Sequence, residues 1–259
     1  NQFLDDLRQA DVFIHIVDIS GETDSEGKTT SGYNPVQDVE MLENELDLWY
    51  TGILKKVWKT FSKTVQSSGQ NFAQAVAKQF SGLKVNEDDV KKVVLKLGYN
   101  TEKPADWDEE QLMNFSHELR HLTKPMIIAA NKIDRTDSAE NLKKLQKEYK
   151  ELMILPCSAD SELALREANK VGLIEYIPGD KDFKIIKELN EKQKNALELI
   201  KKNVLDVYEN TGIQEILNKA IFELLKYFAV FPAGVHKLAD SKGNILPDCF
   251  LVPPGTTAL

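Results

Sequence analysis

The chain has 259 residues, 42% apolar and 29% charged, with a formal net charge of -8 and two cysteines. That is an ordinary globular composition, long enough for a sizeable core and for more than one domain. It excludes a disulfide framework or thiolate metal site, a helix of the roughly 20 apolar residues that would span a bilayer, and a broad electrostatic grip on nucleic acid. No signal peptide is visible and a cytoplasmic protein is expected. Because it opens on Asn1-Gln2-Phe3 without a methionine and closes on Pro254-Gly255-Thr256-Thr257-Ala258-Leu259, within what reads as a further element, the sequence is expected to be a fragment.

Phe3, Leu4 and Leu7 recur at helical spacing and read as the tail of a helix. The apolar run from Val12 to Val17, ending at Asp18, reads as a buried strand, with His15 a satisfied sheet histidine. Gly21 to Thr29 imitates a phosphate loop, but five residues separate Gly21 from Gly27 where four are required. Glu22, Asp24 and Glu26 would also repel phosphate, and Pro35 follows where a helix should already have begun. This stretch is expected to be an exposed loop.

Asn34 and Pro35 make a helix start, an N-cap followed by proline at the first helical position. Val39, Leu42, Leu46, Trp49 and Ile53 then form an apolar seam. Gly69 breaks the helix, a second is expected from Asn71 to Phe80, and a third follows the acidic start Asn86-Glu87-Asp88-Asp89 and stops at Gly98. Residues 36–105 therefore read as a helical block inserted between two strands.

A helix from Asp106 to Leu122 carries His117-Glu118-Leu119-Arg120-His121, a full H-E-x-x-H. On a helix both histidines share one face and can hold zinc, with Glu118 activating a water and Glu140 the plausibly spaced third ligand. The helix instead buries Leu112, Phe115, Leu119 and Leu122 and feeds directly into a buried strand. The pattern therefore reads as solvated surface, with a zinc hydrolase as the alternative.

Pro125 opens the run Met126-Ile127-Ile128-Ala129-Ala130, which suits a strand covered on both faces. It ends in Asn131-Lys132-Ile133-Asp134, an N-K-x-D element at the carboxyl end of a strand, where open parallel sheets bind ligands. An Asp carboxylate accepts two hydrogen bonds side by side. Guanine offers two adjacent donors and adenine does not, so the residue types suit guanine recognition. Lys132 would lay its methylenes over the base, and Asn131 would hold the loop and contact the ring. Asp137, with Glu140 three residues on, reads as the capping box of the next helix, which leaves Asp134 free. After Ser138 to Lys150 comes the strand Leu152 to Pro156, ending in Cys157-Ser158-Ala159-Asp160. Small residues there would let the backbone approach the guanine carbonyl, or cap the helix from Ser161 to Gly172.

Residues 173–187 read as irregular, with a turn at Pro178-Gly179-Asp180. Two helices follow, the second starting at a capping-box pattern in Thr211-Gly212-Ile213-Gln214 and burying Ile216, Leu217, Ile221, Leu224 and Leu225. From Val230 the texture changes to strands, with Val235 to Leu238, a Ser241-Lys242-Gly243-Asn244 turn, then Ile245-Leu246 and Phe250-Leu251-Val252.

Taken together, Asn1 to Arg8 before the Val12 strand, Asp38 to Trp49, Lys124-Pro125, Asn131-Lys132-Ile133-Asp134, Ser158-Ala159, Thr211 to Glu215 and the tail Leu246 to Thr257 resemble an Obg-related GTPase of the YchF type, in its archaeal branch. The resemblance covers nearly the whole chain. It implies an α/β, mostly parallel P-loop NTPase-type G domain, present in part, with a helical insertion and the start of a ubiquitin-like TGS domain. The expected division is 1–35 and 106–229 for the G domain, 36–105 for the insertion and 230–259 for the TGS start.

The same resemblance implies GTP or GDP as ligand through Asn131, Lys132, Asp134, Ser158 and Ala159. It also implies GTP hydrolysis with Mg²⁺ in the complete G domain, and ribosome or tRNA as partner, in a monomer or weak oligomer without membrane attachment. Family members with Glu at the Asp134 position prefer ATP; this chain keeps Asp. The family's phosphate-binding G-x-x-x-x-G-K-[ST] and D-x-x-G loops are expected upstream of Asn1, so this chain by itself is expected not to hydrolyse GTP. A non-catalytic adaptor that contacts the ribosome or another protein through the helical insertion and the C-terminal domain is the other reading.

Overall fold

A computed structural model describes residues 7–232, 239, 242–245 and 249–257. The expected helix tail at Phe3 and Leu4, the strand Val235 to Leu238, Ser241 and Leu246 to Asp248 lie outside the described residues.

The centre is a three-stranded parallel sheet of β1 (Phe13–Asp18), β2 (Met126–Asn131) and β3 (Met153–Pro156), in that order. Register sets Asp18 beside Asn131 and Ala130 beside Pro156, so the carboxyl ends of all three strands finish level with one another. Strand β2 is central and buried along Met126 to Ala130, as its unbroken apolar run requires.

Its two faces use different partners. Ile128 and Ala130 pack with Val39, Leu46, Leu142 and Leu145 from α1 (Val36–Ser68) and a later helix, Ser138–Glu148. Ile127 and Ala129 pack with Ile216 and Ala220 near the C-terminus. The architecture is thus a sheet between two helical layers.

Strand β1 departs from expectation. It is an edge strand, and Ile14 and Ile16 stand 38% and 67% exposed. An apolar edge strand and a buried one have the same sequence texture; only the neighbour count separates them. His15 is not satisfied either, since its Nδ1 is buried without a hydrogen-bond partner. Burial lowers its pKa, against the weaker pull of Asp38 and Glu43, and keeps the ring neutral.

Between β1 and β2 lies the helical block: α1, α2 (Phe72–Gln79), α3 (Glu87–Leu97) and α4 (Glu109–Thr123). Gly69 and Gly98 end α1 and α3 in the left-handed conformation, and Asn71, Asn86 and Asp108 cap the starts of α2, α3 and α4 with side-chain oxygens. At the start of α1, Pro35 takes the cap position, and Asn34 Oδ1 accepts from the Val36 N–H at 3.2 Å. The block has its own core, built around Trp58, Phe72 and Phe115, with Trp107 packed against it.

The buried ammonium of Lys124, just after α4, donates to the carbonyls of Arg8 (2.5 Å) and Ala10 (2.8 Å), tying the segment before β1 to the start of β2. Desolvation pulls its pKa down to about 8.

After β2 come α5 (Ser138–Glu148), β3 and α6 (Ala159–Lys170). Residues 173–187 are not wholly irregular: β4 (Ile174–Glu175) and β5 (Lys184–Ile185) form a short antiparallel ladder. The helix α7 (Glu191–Ile200) runs on through a π-helical stretch, Lys201–Leu205, and α8 (Ile213–Asn218) likewise through Lys219–Leu224. Strand β6 (Phe228–Val230) pairs antiparallel with β7 (Phe250–Val252), so the strand texture starts two residues before Val230. Among the described residues no helix is long and apolar enough to cross a membrane.

Candidate functional site

The level strand ends bring three loops together. Beyond β2 the backbone turns sharply at Lys132, whose φ of 64° is unusual for a residue with a side chain. The conformation is held from both sides: Ser138 Oγ donates to the Lys132 carbonyl at 2.7 Å, and the Ile133 N–H donates to the Cys157 carbonyl at 3.1 Å. Strain of order 1 kcal/mol, retained by surrounding bonds, is typical of loops shaped for a ligand.

This turn throws the four side chains in different directions. Ile133 is buried. Asn131 Oδ1 reaches the β3 side and accepts from the Ala159 N–H at 3.0 Å. Lys132 Nζ crosses to the β1 side and donates to Asp18 Oδ2 at 2.6 Å. Asp134 sits half-buried at the rim, where Ser158 Oγ donates to its Oδ1 at 2.7 Å and Arg135 stands 3.7 Å from its Oδ2. All five residues singled out in the sequence, Asn131, Lys132, Asp134, Ser158 and Ala159, therefore meet in one hydrogen-bonded patch. Ala159 is exposed and Ser158 buried, so the helix start of α6 lies open while its cap is fixed.

Ser158 has two tasks, since its Oγ also accepts from the Ser161 N–H as N-cap of α6. That helix starts at Ala159, two residues earlier than expected. The anticipated capping box at Asp137 does not form: no side-chain bond caps α5, and Glu140 pairs with Lys144 at 2.9 Å.

Asp18 is the corner the sequence reading missed. It accepts from Lys132, from the Ser20 N–H (3.0 Å) and hydroxyl (2.5 Å), and from the Thr23 hydroxyl. Burial would raise its pKa, but these bonds outweigh burial and bring it to about 2. The D-x-x-G spacing, expected only upstream of Asn1, does occur here as Asp18-Ile19-Ser20-Gly21. Its carboxylate is committed to Lys132 and the two hydroxyls.

Behind the Ser158 loop stands a second buried carboxylate. Glu162 accepts from Thr211 Oγ1 (2.6 Å), Tyr176 OH (2.8 Å) and Arg166 Nε (2.5 Å), and the Thr211 carbonyl receives the Ser158 N–H at 2.9 Å. The capping box expected at Thr211 is not made: Gly212, which has no side chain to cap with, occupies the cap position of α8, and the Thr211 hydroxyl donates to Glu162. A Cβ at Gly212 would lie 2.0 Å from the Pro156 carbonyl oxygen and 2.7 Å from Cys157 Cβ, so only glycine fits against this loop. Cys157 is buried and its thiol is pushed up to about 12, inert as a nucleophile.

The H-E-x-x-H segment lies elsewhere, against α1. His117 Nδ1 is 2.6 Å from Asp47 Oδ2, and Arg120 donates to Asp47 Oδ1 (2.5 Å) and Glu43 Oε2 (2.6 Å). The histidines are thus engaged rather than simply solvated. Asp47, not Glu140, is the third potential ligand. Glu118 faces away to Lys96 at 2.6 Å, so the hydrolase arrangement is not assembled.

Comparison with known proteins converges on one group. Residues 129–234 match the family model described as "Obg-like GTPase YGR210-like, G4 motif-containing domain", a stretch that runs from β2 through the Ser158 and Thr211 loops. A GTP-binding protein of Methanocaldococcus jannaschii is 46% identical over 261 residues, 100% of this chain and 65% of that protein. One from Schizosaccharomyces pombe is 34% identical over 268 residues, again 100% of this chain and 65% of that protein. The crystal structure of a GTP-binding protein from Pyrococcus horikoshii OT3 superposes with a TM-score of 0.77 at 41% identity, over 98% of this chain and 68% of that one. The Schizosaccharomyces pombe YchF GTPase shares the fold, with a TM-score of 0.50 at 17% identity over 100% of this chain and 59% of that one.

The fold and the loops define an α/β protein of the GTP-binding class. The chain belongs to the Obg-like family of GTP-binding proteins, with the YGR210-like match confined to residues 129–234, and spans about 65% of the curated relatives it matches.

Two outcomes follow from the geometry. Gly212→Ala forces a backbone collision at a left-handed position and lowers unfolding stability by about 3 kcal/mol or more; urea denaturation measures it, and a loss under about 1 kcal/mol would contradict the packing. Asp18 has a folded pKa of about 2, below the 3.8 of an ordinary Asp. Its carboxylate therefore adds stability, about 2 kcal/mol, that is fully present above pH ~4 and is lost as the pH falls towards 2. The stability gap between wild type and Asp18→Asn should narrow over that window; a gap independent of pH would refute the Lys132 pairing.

Proposed function

We propose that this chain carries the guanine-recognising half of a GTP-binding G domain, with Asp134 as the residue that selects the base. The observation behind this reading is the 2.7 Å bond from Ser158 Oγ to Asp134 Oδ1. It fixes the carboxylate at the sheet rim while leaving lone pairs on both oxygens for the two neighbouring donors of guanine. Adenine would leave that carboxylate desolvated and unpaired, a mismatch worth roughly 10⁴-fold in affinity in sites built this way. The methylenes of Lys132, stretched between its turn and Asp18, form the floor on which the base lies. The Ala159 N–H, which Asn131 Oδ1 occupies at 3.0 Å, passes to the guanine carbonyl oxygen on binding, freeing the Asn131 amide for the ring.

Hydrolysis of GTP, with Mg²⁺, belongs in this reading to the complete G domain. No G-x-x-x-x-G-K-[ST] occurs in the 259 residues, and that loop together with the metal supplies most of the electrostatics of phosphoryl transfer. Among the described residues the outer edge of β1 is unpaired and Ile14 and Ile16 are exposed, and this is where further strands of such a domain would add. Residues 1–35 and 106–229 form the G domain, 36–105 an insertion with its own aromatic core, and 230–259 the start of a ubiquitin-like TGS domain. A cytoplasmic role with the translation machinery, through ribosome or tRNA, accords with the family.

Added at tenfold its Kd, GDP should raise the thermal midpoint of the protein by roughly 3–5 °C. ADP at the same concentration should leave it unchanged, and Asp134→Asn should remove the GDP effect. Equal shifts with ADP and GDP, or an undiminished GDP shift in Asp134→Asn, would overturn the assignment.

A further inference from the structure

The polar cluster between α1 and α4 has a feature that a plain ion-pair network does not need. His117 and His121 are one helical turn apart, so both rings leave the same face of α4, with centroids 4.4 Å apart. Asp47 rises from α1 opposite them, and one donor atom from each of the three lies within 4.8 Å of the others. Donors around a tetrahedral ion with bonds of about 2.0 Å stand roughly 3.3 Å apart, so small side-chain rotations close the set.

We propose that Asp47, His117 and His121 bind one divalent transition-metal ion of the imidazole-preferring class, Zn²⁺ above all, and that the ion staples α1 to α4 at the base of the helical insertion. This is a tethering site and not a hydrolytic one, because Glu118 is turned away to Lys96.

Arg120 decides whether the site can work, since a buried guanidinium beside a dication would repel it. The guanidinium is already matched: Glu43 takes its Nη atoms (2.6 and 3.4 Å) and Asp47 takes its Nε through Oδ1 alone. Asp47 Oδ2 therefore faces His117 without help from Arg120. The ion needs only Oδ2, so the Asp47–Arg120 bond survives ligation. Two bonds are given up, that between Arg120 Nη2 and His121 Nε2 at 2.7 Å and that between His117 Nδ1 and Asp47 Oδ2 at 2.6 Å, and the ion replaces both. The three ligand side chains are 48%, 34% and 26% exposed, so an ion reaches them from solvent without unfolding.

The placement gives the site a consequence. Strand β2 starts three residues after α4 ends, and its far end carries the Asn131 to Asp134 loop. Fixing α4 to α1 therefore stiffens the helix that leads into the central strand.

The test is calorimetric titration of the full chain with ZnCl₂ in chelator-free buffer at pH 7.5, with CoCl₂ as a spectroscopic probe. We expect one ion per chain, visible Co²⁺ absorption of a tetrahedral nitrogen and oxygen site, and a thermal midpoint raised by roughly 5–10 °C at a hundredfold excess of zinc over Kd. His121→Ala should weaken binding at least tenfold and His117→Ala/His121→Ala should abolish it. Asp47→Asn should weaken it as well; because the change also removes a charge beside buried Arg120, its metal-free midpoint is measured in parallel and the loss of zinc affinity is read against it. Cys249→Ser, removing an exposed thiol remote in sequence from the cluster, should change nothing. Absence of saturable zinc binding with a Kd of about 100 µM or tighter, roughly 5.5 kcal/mol, sulfur-type Co²⁺ absorption, or unchanged affinity in the double histidine variant would each overturn the proposal. The Co²⁺ spectrum of the unaltered chain reads ligation directly, so the test survives a variant that fails to fold.

Discussion

The Ser158 hydroxyl ties the loop beyond β3 to the carboxylate beyond β2, beside the backbone bonds that already join the two loops. It caps α6 from one side and donates to Asp134 from the other, so the end of β3 and the loop beyond β2 cannot move independently. An isolated carboxylate on a loop would sample many rotamers and lose entropy on meeting a ligand; one bonded at 2.7 Å to a buried, helix-capping serine is already oriented. Pre-organisation of this kind is what allows a modest number of bonds to discriminate one purine from another.

The latch is only as rigid as its support, and the support comes from residues far away in the chain. The Ser158 N–H is held by the Thr211 carbonyl, the Thr211 hydroxyl by buried Glu162, and Glu162 in turn by Tyr176 and Arg166. A buried carboxylate with three donors is stable where an unpaired one would not be. Gly212 then lets α8 press directly on the backbone of Pro156. On the other flank, Asp18 anchors the Lys132 ammonium, and the lysine bridges β1 to the loop. The site is thus built from all three strands, with each strand end contributing a fixed polar group.

Much of this was legible in the chain itself. The unbroken run Met126 to Ala130 specified the central strand, since only a strand covered on both faces tolerates five apolar residues in a row. Glycines at 69 and 98 and the side-chain caps Asn71 and Asn86 marked the helices of the insertion within a residue or two. What escaped was whatever depends on contacts distant in sequence. Thr211-Gly212-Ile213-Gln214 spelled a capping box, yet the cap position falls on Gly212 and the Thr211 hydroxyl donates to a buried acid 49 positions away. Glu162, four residues before Arg166, has the spacing of an ordinary helix-surface pair, and nothing in the local pattern marks it as buried. The apolar texture of β1 suggested a covered strand, whereas exposure depends on how many strands lie beside it. The left-handed turn at Lys132 had no signature, because it is imposed by Ser138 and Cys157 and not by glycine.

The most direct measurement is a crystal structure of the protein with GDP bound. The account requires the guanine ring N–H and exocyclic amine to lie about 3 Å from the two oxygens of Asp134, with the base stacked on the Lys132 stem. A base found elsewhere, or one bound at this rim with Asp134 turned away from it, would contradict the central claim.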